Sequence, residues 1–182
     1  MTGVTPAEAG AAVFEAIDPN SNPAAPAFAG VTGTLAGIAR HAYPRAPMEV
    51  LDHVHISVES GLAGDFRGAV KPGRQPKRQV SLMERSDWDA VMAELGVGHH
   101  WSVRRANLLV EGLDLPQTAG AVVRIGEEVV LEIMIECDPC SRMEEIEPGL
   151  KAALTPDWRG GALARVISGG DIRVGDTIRV EE

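Results

Sequence analysis

The chain holds 182 residues, with 26 acidic and 17 basic side chains and a net charge of −9 when the histidines are neutral. That balance argues against nucleic acid as a partner, because phosphate backbones are gripped by clustered Lys and Arg. No window approaches the ~18 apolar residues of a membrane span, and ample aliphatic content suits one soluble domain with a sizeable core.

Residues 1–29 are rich in Ala and Pro and read as an appendage to a main domain over 30–182. Thr5-Pro6-Ala7-Glu8 has the form of a capping box with Pro at the first helical position, which predicts a short helix over about 6–17. Asp18 to Pro23 breaks it, and a linker runs to about Ala29. A basic start followed by an apolar run, the form of a secretory signal, is not visible.

Strand patterns begin at Val31. Val31–Ala39 reads as one strand, with Gly33 and Gly37 marking bends or close backbone approach. Glu49–Val58 alternates as a second, and it sends His53 and His55 off one face. With no third ligand in view, that pair is assigned to solvent rather than to a metal. Gly61-Leu62-Ala63-Gly64-Asp65 is a turn-rich corner, and Phe66–Pro76 is an irregular loop leading to the basic group Arg74, Lys77 and Arg78.

Ser81-Leu82-Met83-Glu84 is a second capping-box pattern, predicting a helix over about 82–95. Trp88, Val91, Met92 and Leu95 recur at helical spacing, which is core packing rather than a cofactor box, and Gly96 stands where a C-terminal cap belongs. His99-His100 fall in a loop. Arg104-Arg105-Ala106-Asn107 leads into a short strand at Leu108–Val110. Ala121–Ile125 and Val129–Ile135 form a hairpin around Gly126-Glu127. Pro148–Leu154 is a short helix, and the remainder is short strands punctuated by Gly and Asp. Many short strands with one long helix predict a mainly β fold, a β-barrel with helical insertions, and no doubly wound sheet.

The chemistry concentrates at Glu136–Met143. In Val129–Glu136, Val129, Leu131, Ile133 and Ile135 share one side, and Pro139 cannot continue a sheet ladder. Cys140 therefore falls on a turn at the sheet's rim, with Arg142 two residues on, and a neighbouring cation favours the reactive thiolate. Two cysteines three apart give no disulfide framework and fit a reducing cytoplasm.

Four explanations of Cys137-x-x-Cys140 compete. A structural zinc half-site lacks a second pair of cysteines, and the histidines do not have finger spacing. A thioredoxin-type dithiol wants a following helix in an alternating chain, but Ser141–Glu147 is short and ends at Pro148. A hydrolase nucleophile needs a His and an acid brought near by folding, which stays open. So does a thiolate that binds a soft metal or carries sulfur.

From about Val31 to Glu182 an ordered series of motifs resembles the MOSC domain, the module named after the C-terminal part of molybdenum-cofactor sulfurases. The series runs Gly61-Leu62-Ala63-Gly64-Asp65, Arg78-Gln79-Val80-Ser81-Leu82, Arg104-Arg105-Ala106-Asn107-Leu108 and Gly112-Leu113-Asp114-Leu115. It continues through Ile125-Gly126, Pro139-Cys140, Arg159-Gly160-Gly161, Val166-Ile167, Gly169-Gly170-Asp171-Ile172 and Gly175-Asp176.

The resemblance implies a MOSC-type barrel and a cysteine, matched by Cys140, that binds sulfur or molybdenum. It implies the molybdenum cofactor, and either sulfur transfer or reduction of N-hydroxylated small molecules. An anionic pterin dithiolene calls for cations and backbone donors. The expected set is Arg78, Gln79, Ser81, Arg104, Arg105, Asn107, Arg159 and Gly160, with Ser81 adding an anion site at the start of its helix.

Two departures stand out. Phe66-Arg67 replaces the histidine many members carry after the Gly-Asp corner, and Cys137 is additional to the motif's single cysteine. The chain has no room for a fused pyridoxal-phosphate desulfurase, so sulfur would come from a separate cysteine desulfurase. Reduction would need an electron-transfer partner, since no Gly-x-Gly-x-x-Gly follows a strand. The alternative is a non-enzymatic sulfur carrier or scaffold delivering persulfide sulfur for metal–sulfur cluster assembly.

Overall fold

The computed structural model describes residues 31–73 and 75–181. The helix expected over 6–17, its linker and Arg74 lie outside the described residues. The strands are β1 (Thr32–Arg40), β2 (Glu49–Leu51), β3 (His53–Ser57), β4 (Gly61–Leu62), β5 (Val80–Glu84), β6 (Leu108–Glu111), β7 (Val122–Ile125), β8 (Val129–Glu136), β9 (Ala162–Ser168), β10 (Gly170–Arg173) and β11 (Thr177–Glu181). The helices are α1 (Arg85–Leu95), α2 (Ser141–Ile146) and α3 (Leu150–Ala153).

Seven strands close a barrel in the order β11-β7-β8-β9-β5-β6-β1, with β1 pairing back onto β11. An odd number of strands cannot alternate direction all the way round, so one neighbouring pair must be parallel. That pair is β5–β6. A parallel pair needs a long crossover, and the segment carrying α1 supplies it. The helices lie outside the wall, so β5 is covered on both faces. Leu82 faces the barrel interior with Leu35, Ile133 and Ala164. Met83 faces a second core with Trp88, Val91, Met143, Leu150 and Leu154. The Trp and Met stripe of α1 is core packing, as expected.

Four sequence expectations need correction. The helix expected from residue 82 starts at Arg85, with extended Glu84 at its N-cap and no side-chain cap bond. The capping-box pattern was misleading because Val80–Glu84 is a doubly covered strand, a burial that the pattern does not register. The strand expected over 49–58 divides at Asp52, whose carbonyl accepts the Val174 amide; β2 pairs with β1, and β3 with β10 in a separate three-stranded sheet. Ile135 is 42% exposed rather than inward, because the β8–β9 register shifts between Ile133 and Ile135 and a bulge turns the strand. Ser141–Glu147, expected to be too short for the helix of a thioredoxin-type unit, carries the six-residue α2 directly after Cys140.

Candidate functional site

β8 delivers the chain to the barrel's rim at Glu136, and residues 137–140 then cross to α2. The Cys137 amide donates to the Gly161 carbonyl at 2.8 Å, pinning the loop to the segment before β9. Cys137 is buried and Cys140 exposed, and both are free thiols. The Cys140 side chain makes no capping bond to α2, so its sulfur is available.

Arg104 fastens this loop from beneath. It is 4% exposed, and one guanidinium nitrogen donates to the Cys137 carbonyl and the Gly160 carbonyl, each at 2.6 Å. The same nitrogen lies 3.3 Å from the Cys137 sulfur. Gly160 is required at this junction: a Cβ there would stand 2.5 Å from the Cys137 carbonyl oxygen and 3.0 Å from Arg104. Arg104 ends a short 3₁₀ turn, Trp101–Arg104, and Arg105 follows in the left-handed region at φ 66°. That reversal sends consecutive arginines apart. Arg104 goes inward, while Arg105 reaches across the surface to donate to the Ala46 carbonyl at 2.7 Å.

Arg78 is exposed by area, yet loss of solvent is still the largest influence lowering its pKa. Its charge is felt by both cysteine sulfurs and by Arg67 and Arg104. Burial also lowers Arg105, with Arg142 and Arg67 pushing the same way and Asp65 and Cys140 opposing. Guanidinium groups stay charged regardless. The exposed thiol therefore lies within the electrostatic reach of Arg78 and Arg105, with Arg67, Arg104 and Arg142 around them.

The other expected site residues are placed elsewhere. Gln79 is buried, donating to the Val58 carbonyl at 2.7 Å and accepting the Val166 amide at 2.9 Å. The Ser81 hydroxyl donates to Asn107 Oδ1 at 2.9 Å and accepts the Asn107 amide at 3.0 Å. Asn107 Nδ2 donates to the Ala39 carbonyl. These three tie neighbouring strands together and offer a ligand nothing, so the helix-terminal anion site expected at Ser81 is not formed. Arg159 turns to Glu94 of α1 at 3.1 Å and to the Ala153 carbonyl. Gly160 serves by permitting close packing.

Three participants were not among the expected site residues. In the sequence Arg142 is marked only as a neighbour of Cys140, and Phe66-Arg67 only by standing where many members carry a histidine. His41 had no sequence signal. It is 5% exposed, with Nδ1 3.1 Å from Asp65 Oδ1 but not aligned for a hydrogen bond; that oxygen already accepts the His41 amide. Desolvation, more than Arg105 and Arg67, holds the His41 pKa below the ordinary 6.5, against the pull of Asp65. Asp65 Oδ2 accepts the Arg67 amide at 3.1 Å, so the corner fixes Arg67 as well.

A family model described as MOSC domain matches residues 62–179. The chain belongs to the MOSC domain family. The fold agrees. The YuaD protein from Bacillus subtilis superposes with a TM-score of 0.68 at 20% identity, covering 82% of this chain and 95% of that one. YiiM from Geobacillus stearothermophilus gives 0.57 at 13%, covering 84% and 75%. YiiM from Escherichia coli gives 0.57 at 18%, covering 82% and 70%. No curated protein matches the sequence.

The donor set of this MOSC domain limits what it could hold. Among the described residues no three His, Cys, Asp or Glu side chains are grouped to bind a metal ion. A metal here would have to arrive with most of its ligands, Cys140 adding one soft sulfur. A dithiolene-bound metal with an anionic tail would suit a single exposed thiol whose charge acts on Arg78 and Arg105.

Proposed function

We propose that this MOSC-domain protein binds the molybdenum cofactor, with the Cys140 thiolate on the metal and Arg78 and Arg67 facing the cofactor's anionic part. The observation that supports this is an exposed thiol beside arginines that have no carboxylate partner, in a chain with an excess of acid. When bound, the cofactor would supply two-electron oxygen-atom chemistry, suited to reducing N-hydroxylated small molecules. Removing an N–OH oxygen takes two electrons and two protons and releases water, so a separate electron-transfer protein must supply the electrons. Arg104 and Gly160 hold the cysteine loop, and a bidentate guanidinium grip suits a phosphate. The free thiols need a reducing compartment such as the cytoplasm; no described helix is long and apolar enough to cross a membrane.

Metal analysis of protein from a molybdenum-replete host is the test. The wild type should contain molybdenum and Cys140→Ala should lose it; molybdenum retained in that variant overturns the ligand role. The exposed, free Cys140 thiol also supports a second reading, a carrier of persulfide sulfur received on Cys140 from a cysteine desulfurase. Mass spectrometry after incubation with a desulfurase and cysteine should then find added sulfur on Cys140. An unmodified Cys140 rejects the carrier.

A further inference from the structure

Beside the cysteine loop lies a cavity of about 240 Å³ lined by Met48, Ser102, Val103, Arg105, Arg142 and Ile146. Its walls come from the loop between β1 and β2, the 3₁₀ turn and α2. Three of the six lining residues are apolar and half-buried, and two are cations. Arg142 has no hydrogen-bond or ion-pair partner among the described residues. Glu145, a nearby acid on α2, is turned to Arg45 at 3.8 Å. Arg105 commits one nitrogen to the Ala46 carbonyl, and its remaining donors have no acceptor among the described residues.

Arg142 acts against the charge of Arg105 across this partly apolar recess, and Asp65 offsets it only in part. An anion between the two guanidinium groups would relieve the repulsion and satisfy their N–H groups. An apolar wall, however, gives a bare inorganic ion nothing and rewards a molecule that also carries an apolar body. The volume is below the roughly 300–1,000 Å³ of cavities that take drug-sized ligands, which limits the occupant to about one ring or a short chain.

We propose that this cavity binds the substrate, and that the substrate class is a small carboxylate whose apolar body lies on Met48, Val103 and Ile146 while its carboxylate is held by Arg105 and Arg142. The assignment rests on the proposed role of Cys140 only in calling the occupant a substrate, since Arg142 is two residues from that sulfur.

Calorimetric titration of the full chain with benzoate, its neutral isostere benzamide and inorganic phosphate tests it. Benzoate should bind at least tenfold more tightly than benzamide or phosphate. Arg142→Gln should weaken benzoate at least tenfold, to the level of benzamide. Met48→Ala should weaken benzoate severalfold and leave phosphate unchanged. Ile146→Glu, which adds a carboxylate to the wall, should abolish benzoate binding while thermal unfolding stays cooperative. Equal affinity for benzoate and phosphate, no benzoate binding, or benzoate binding indifferent to Arg142→Gln would each overturn the proposal. Molybdenum retained in Cys140→Ala would sink the metal-ligand role without touching the carboxylate site, and failure of the wild type to bind benzoate would sink the carboxylate site without touching the metal-ligand role.

Discussion

Most of the described arginines divide by region. Away from the cysteine loop, Arg40, Arg45, Arg85, Arg124, Arg159 and Arg165 each lie against a glutamate: Glu49, Glu145, Glu111, Glu181, Glu94 and Glu132. Around Cys140, Arg67, Arg78, Arg104, Arg105 and Arg142 have no such partner among the described residues, although the chain has nine more acidic than basic side chains. With acid in excess, these cations stay unpaired because the nearest carboxylates are engaged elsewhere, Asp65 by the His41 and Arg67 amides and Glu145 by Arg45. The first group ties the surface of the barrel together. The second keeps positive charge uncompensated at the one exposed thiol, which costs stability and leaves room for an anion.

The contrast can be broken most directly at Arg104, the inward member of the second group. Arg104→Ala leaves the buried Cys137 and Gly160 carbonyls without their donor, and should destabilise the chain by about 2–4 kcal/mol. Urea denaturation measures this, and a loss below 1 kcal/mol would mean the cysteine loop does not depend on that guanidinium.

A smaller effect sharpens the comparison by its sign. Arg165→Gln, in a pair with Glu132 at 2.6 Å, should destabilise by about 0.5 kcal/mol. Arg78→Gln should be neutral or stabilising by a similar amount at low salt, because it relieves like-charge repulsion. The gain should vanish at about 1 M salt, where charges a few ångströms apart are screened. Destabilisation by Arg78→Gln at low salt would show that the cluster is not repulsive.

The smallest expected effect is a slope. The folded pKa of His41 lies below the unfolded 6.5, so the unfolded chain binds more protons in the window between them. Stability attributable to neutral His41 is therefore whole above pH 6.5 and is lost as pH falls through that value toward the folded pKa. Thermal unfolding at pH 7.5 and pH 5.5 should show a larger acid-side loss for the wild type than for His41→Gln. Equal losses would place His41 in an environment no drier than water.

Much of the architecture was legible because burial leaves a period. Alternation in β3, the hairpin of β7 and β8 and the helical stripe of Trp88, Val91 and Met92 each report one face of a local element. The same rule failed at Val80–Glu84, where a strand buried on both faces has no alternation and its Ser-x-x-Glu spacing resembles a helix start. Barrel closure through β1–β11 and the parallel β5–β6 pair could not be read, because neither leaves a local mark.

The sequence alone determined that the strand is over before Cys140, because Pro139 cannot continue a ladder; the structure ends that strand at Glu136 and makes Cys140 the N-cap of α2 rather than part of a turn. The sequence also determined that cations would be present, since Arg78, Arg104, Arg105 and Arg159 could be named from the chain. Only the tertiary structure decided which of them matter. Arg159 meets Glu94, 65 residues away, and Arg104 meets Gly160, 56 residues away. A guanidinium group has the same charge and length wherever it is written; its role depends on whether folding brings a carboxylate, a carbonyl or an open recess to its end.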